Sequence, residues 1–123
     1  MTVFNSMSNV AINLIPFRHG QKKCGVEEGP EYIMRGGLEG KLKKLNFNIV
    51  SKTEIKCDIC PSQSNIQICS NNCQKIASIV HQQSKDGKFV LNLGGDHSIG
   101  TGTLSGMLQT YPDLLVIWVD AHT

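Results

Sequence analysis

Two short apolar runs, each ending on ionisable residues and separated by one helix-length segment, constrain this chain most. The first runs from Phe89 to Leu93 and leads through Gly94 and Gly95 to Asp96, His97 and Ser98. The second, Leu114 to Val119, leads directly into Asp120, Ala121 and His122. Runs rich in Val, Ile and Leu are how strands buried on both faces read. Ser98 to Thr110 between them has the length of a single helix, and Ser98 is placed to cap it. Strand, helix, strand implies a parallel pair joined by a right-handed crossover. Ligand sites in such sheets lie beyond the carboxyl ends of the strands. His97, Asp120 and His122 are therefore expected at one sheet edge.

Upstream, Val10 to Ile15 reads as a first strand ended by Pro16, and Phe17 to Glu28 as a long loop. Long loops after a first strand often border a site, which makes His19 and Glu27 polar candidates there, secondary to a structural role. Pro30 suits the first turn of a helix. Gly36 and Gly37 then split the helical pattern, and Leu38, Leu42 and Leu45 resume it. Phe47 to Val50 reads as a second strand and residues 53–65 as a loop. The fold class expected is α/β: a partial parallel sheet with flanking helices, forming one domain over residues 1–123, with residues 1–8 disordered.

Four of the five cysteines fall between residues 57 and 73. Cys57, Cys60, Cys69 and Cys73 could close a tetrahedral zinc shell, although the eight residues separating the two pairs are fewer than usual. Ile66, Cys69, Cys73, Ile76 and Val80 also mark the seam of one amphipathic helix. In that reading, which we adopt, Cys69 and Cys73 pack as small hydrophobes.

A formal net charge of +2 is too small to suggest a nucleic-acid or anionic-membrane partner. Lys41, Lys43 and Lys44 read as the solvated end of a helix. No apolar run is long enough to span a bilayer. The first residues lack the pattern of a secretory signal, and an odd cysteine number agrees with free thiols in a reducing, intracellular setting.

The two strand ends carry the chemistry. Asp120 and His122 stand two residues apart and share a side of an extended chain. With His97 they form an imidazole and carboxylate set that suits Mn, Fe, Zn or Ni better than Ca or Mg. A carboxylate such as Asp120 can bridge two ions, which lower the pKa of a shared water and steady both sides of a hydrolytic displacement.

Gly94-Gly95-Asp96-His97-Ser98 and Asp120-Ala121-His122-Thr123 resemble the first two signature motifs of the ureohydrolase superfamily and, within it, the arginase family. Supporting residues are Pro16-Phe17, Gly20-Gln21, Gly25 through Pro30, Gly37-Leu38, and Tyr111 through Asp120. The resemblance spans the chain apart from its first residues and the cysteine-bearing loop. It implies the first half of a three-layer α/β/α fold, and hydrolysis of L-arginine to L-ornithine and urea at two manganese ions. His97 would hold one ion, His122 the other, and Asp120 would bridge them, with Asp96 beside the ligands. It also implies a homo-oligomer, commonly a trimer, working in the cytoplasm, with mitochondria left open.

In that family the second motif continues to a further aspartate, whereas Thr123 is the last residue here. The later ligands, the proton-shuttling histidine and the substrate-holding segments have no counterpart. The catalytic and substrate-binding residues are thus expected beyond Thr123, and the 123-residue chain alone is expected to be inactive. The alternatives are another ureohydrolase, such as agmatinase, or a non-catalytic chain that binds metal or full-length subunits.

Overall fold

The computed structural model describes residues 9–122. The reading of residues 1–8 as disordered lies outside the described residues. Three parallel strands, β1 (Asn9–Ile15), β2 (Asn48–Glu54) and β3 (Phe89–Gly94), form a sheet in the order β2-β1-β3. Between β1 and β2 lie a single 3-10 turn (Val26–Glu28) and two short helices, α1 (Gly29–Arg35) and α2 (Leu38–Lys44). The long helix α3 (Asn65–Lys85) joins β2 to β3, and α4 (Ile99–Thr110) follows β3.

The central strand explains the layering. Alternate residues of β1 point to opposite faces, and both faces are covered. Val10 and Ile12 pack with Leu93, Met34, Leu38 and Leu42 on the α1–α2 side. Ile15 and Phe17 pack with Ile68, Ile76 and Val80 on the α3 side. A strand buried on both faces loses its polar-apolar alternation, and Val10 through Ile12 are all essentially fully buried.

One polar residue interrupts this apolar centre. Asn13 is fully buried, and its Nδ2 donates to Gln83 Oε1 at 2.7 Å and to Asn92 Oδ1 at 2.9 Å. Gln83 Nε2 returns a bond to Asn13 Oδ1 at 2.9 Å. The three amides tie β1, α3 and β3 together, and their mutual pairing avoids the cost of stranding a polar group.

Helices α3 and α4 approach closely because α4 presents glycines to α3. A Cβ on Gly102 would lie 2.7 Å from the Cys73 carbonyl oxygen, and one on Gly106 2.6 Å from that of Ala77. These helix-weakening residues are there for packing, as their spacing suggested.

Three expectations need correction. Leu114 to Val119 is not a fourth strand: among the described residues it runs extended without a ladder, and Leu115, Ile117 and Val119 are each more than 80% exposed. Apolar composition favours a strand, but a strand forms only against a partner edge, and this segment lies away from β3. The helix seam was also out of phase at its start, since Ile66 is 82% exposed and Ile68 is buried. Ser64 caps α3 with a reciprocal Ser64–Gln67 box, which sets the phase that the spacing of the cysteines obscured. Finally, β2 continues through Glu54, so the loop before α3 covers 55–64.

Candidate metal centre

β3 ends at Gly94, and the next residues turn beneath the loop that follows β1. The turn is tight enough to require glycine by proximity: a Cβ on Gly95 would lie 2.0 Å from the Phe17 carbonyl oxygen. Neither Gly94 nor Gly95 has a positive φ, so close approach is the reason for both. The Asp96 amide donates to that same Phe17 oxygen at 3.0 Å.

Asp96 then locks the two loops. Its Oδ2 accepts from the Gly20 amide at 2.8 Å, and its Oδ1 accepts from the Ser98 amide at 2.8 Å and from the Ser98 hydroxyl. Ser98 therefore spends its hydroxyl on Asp96 and makes no side-chain cap on α4, contrary to the capping role expected for it. The arrangement leaves His97, between these anchored neighbours, directed outward with its side chain 74% exposed.

The chain returns to this spot after α4. The Trp118 ring lies against Gly100, where an added Cβ would meet it at 3.1 Å, and sets its edge toward the His97 ring at 6.2 Å. His97, Gly95, Thr103 and Trp118 border a cleft of about 320 Å³. The indole N–H donates to Asp120 Oδ2 at 3.1 Å. The same oxygen lies 3.4 Å from His97 Nδ1, while Asp120 Oδ1 lies 3.2 Å from His122 Nδ1 and accepts from the His122 amide at 2.8 Å. The His122 amide, the indole and His97 hold the Asp120 carboxyl below its ordinary range.

The structure thus brings together His97, Asp120 and His122, the three residues singled out from the sequence. One carboxylate oxygen faces each imidazole, which is the donor order a bridging ligand needs. The separations are those of ion pairs, however, and among the described residues no group of three His, Cys, Asp or Glu is closed around a metal position. By donor chemistry the set fits a divalent transition ion, and by coordination it is open.

His19 and Glu27 stay apart from this cluster. The His19 ring packs on Phe17 at 5.3 Å. Glu27 pairs with Arg18 at 3.3 Å and accepts from the Gly25 amide, shaping its own loop. The cysteines are likewise local: Cys57 donates to the Ile55 carbonyl, Cys60 pairs with Ser62, and Cys73 donates to the Ser98 carbonyl at 3.2 Å. Trp118 was not singled out, although its position two residues before Asp120 places it on the same side of an extended chain.

Fold and site together define a parallel α/β protein whose polar residues gather past the carboxyl end of β3, and comparison with known proteins gives the family. Residues 8–123 match the family model described as "Arginase family", and the chain belongs to that family. It is 41% identical over 114 residues to "Arginase, hepatic" of Aquarana catesbeiana, covering 87% of this chain and 35% of the relative. Among solved structures it superposes on arginase from Bacillus caldovelox with a TM-score of 0.82 at 34% identity, over 95% of this chain and 42% of that one. Arginase from Bacillus subtilis gives a TM-score of 0.82 at 31% identity, over 94% and 40%. The chain therefore spans roughly a third of the length of the curated relatives it matches.

Proposed function

We propose that these residues belong to a manganese-dependent hydrolase converting L-arginine to L-ornithine and urea, with His97, Asp120 and His122 as three of its metal ligands. The observation that carries this reading is the Asp120 carboxylate, which turns Oδ2 toward His97 and Oδ1 toward His122. Two divalent ions there would lower the pKa of a water and balance charge on both sides of a displacement at a guanidinium carbon. Asp120 would be shared between the ions and the two imidazoles would each serve one. Asp96, bonded to Gly20 and Ser98, keeps the His97 turn in place and takes no part in ligation.

Substrate selection among ureohydrolases, assembly into oligomers and cellular location belong to the same proposal. So does the inactivity of the 123-residue chain: three ligands leave most of each coordination sphere to water, and affinity and catalysis both fall when the ligand set and its supports are incomplete.

The experiment is to sequence the transcript through and past codon 123 and to assay the encoded polypeptide for urea release, with manganese, from L-arginine and from agmatine. Turnover of arginine over agmatine that disappears in His97→Asn is the expected result. Preference for agmatine, or arginine turnover indifferent to His97→Asn, would overturn it. Manganese-dependent turnover by the 123-residue chain itself would refute its inactivity.

A further inference from the structure

The cysteines that the proposed function leaves unused are arranged in a definite way. The Asn72 side chain grips the backbone of Asp58 twice, accepting from its amide at 2.7 Å and donating to its carbonyl at 2.8 Å. Lys75 adds a bond to the Lys56 carbonyl at 2.6 Å. The residue before Asp58 is Cys57 and the residue after Asn72 is Cys73, so the grip lays one thiol-bearing residue alongside the other. Cys57 packs against the buried Ile55, Ile68 and Ile76 cluster, and Cys73 is itself buried one turn of α3 from Ile76. Cys60, by contrast, is exposed on the far side of Asp58.

We propose that Cys57 and Cys73 form an oxidisable pair that closes to a disulfide when the protein meets a hydroperoxide. The Cys57 sulfur, as thiolate, attacks one peroxide oxygen; the O–O bond breaks and the other oxygen leaves as water or alcohol after taking up a proton. The resulting sulfenic acid is attacked by the Cys73 sulfur, forming the S–S bond and releasing water with the Cys73 proton. Two thiols are oxidised by two electrons and one hydroperoxide is reduced. Burial pushes the Cys57 thiol up to about 11 and raises that of Cys73, so the reaction is slow beside that of an exposed thiolate.

The pair is coupled to the candidate metal centre through one bond. Reduced Cys73 donates its thiol proton to the Ser98 carbonyl, the residue after His97. A disulfide has no proton to donate, so that carbonyl loses its partner on oxidation. The chain's single tryptophan borders the same cleft and reports the change.

The test uses the 123-residue chain carrying Cys24→Ser and Cys60→Ser, which removes both exposed thiols. After treatment with hydrogen peroxide and alkylation of remaining thiols, cleavage before Asp58 separates Cys57 from the other cysteines, and fragment-ion sequencing locates any link. A Cys57–Cys73 disulfide, Cys69 still alkylated and a shift in Trp118 emission reversed by dithiothreitol are the expected results. A Cys57–Cys69 link, links between chains, or singly oxidised cysteines without a link would overturn the pairing. An unchanged emission on closure would overturn the coupling. Asn72→Ala, which opens the grip, should slow closure several-fold; an unaltered rate counts against the geometry.

Discussion

The indole nitrogen of Trp118 and the carboxylate of Asp120 are joined at 3.1 Å through Oδ2, the oxygen that also faces His97. The three side chains thereby form one contact group although they come from two separate turns of the chain.

This contact makes Trp118 an internal reporter, because it is the only tryptophan in the sequence. A paramagnetic manganese ion held by Asp120 would sit within a few bonds' reach of the indole and quench its emission. Titration with manganese is expected to give saturable quenching that Asp120→Asn weakens strongly. Quenching that rises linearly and is the same in both chains would remove Asp120 from the ligand set.

The depressed Asp120 carboxyl has a definite sign. It binds its proton more weakly in the folded chain than in the unfolded one, so its stabilising effect is present above the unfolded value of about 3.9 and fades as pH falls through the lower folded value. Trp118→Phe deletes one of the donors responsible. Carbon-detected NMR titration should show the Asp120 midpoint moving upward in that variant, by less than is lost when the His122 amide contact also opens.

Gly95→Ala tests the crossing of the two loops. The new methyl would fall 2.0 Å from a backbone oxygen that no rotamer change can move, so the cost is expected at the upper end of overpacking effects, about 3 kcal/mol. Urea denaturation should show a lower midpoint at an unchanged slope.

Asn13→Leu leaves the buried Gln83 amide with neither of its Asn13 partners. Stranding it should lower stability by about 1–3 kcal/mol. Adding Gln83→Met removes the orphan and should restore part of the loss; a second variant as unstable as the sum of both singles would mean that the amides are not coupled.

Much of the fold was legible because the signals were local. β1 and β3 announced themselves as apolar runs, the Gly36–Gly37 break separated α1 from α2, and Tyr111-Pro112 ended α4. The ligand cluster was legible for a simpler reason, since residues that close two parallel runs must emerge on one side. What failed depended on partners. Leu114 to Val119 has the composition of a strand but no edge alongside it. The pairing of Asn13 with Gln83 spans 70 residues, and a lone asparagine in an apolar run gives no hint of it. Ser98 fits a cap by position, yet Asp96, two residues away, takes its hydroxyl instead.

The strand order also bears on how the chain emerges from the ribosome. β1 is made first yet lies in the middle of the sheet, and its two neighbours end at Glu54 and Gly94. During synthesis its apolar residues must wait for most of the remaining chain before both flanks are occupied, and at about 5–20 residues per second that interval lasts several seconds. Nascent β1 is therefore where a trigger-type chaperone would be needed, and substitutions that make Val10 through Ile15 more adhesive should lower soluble yield even where the finished fold accommodates them.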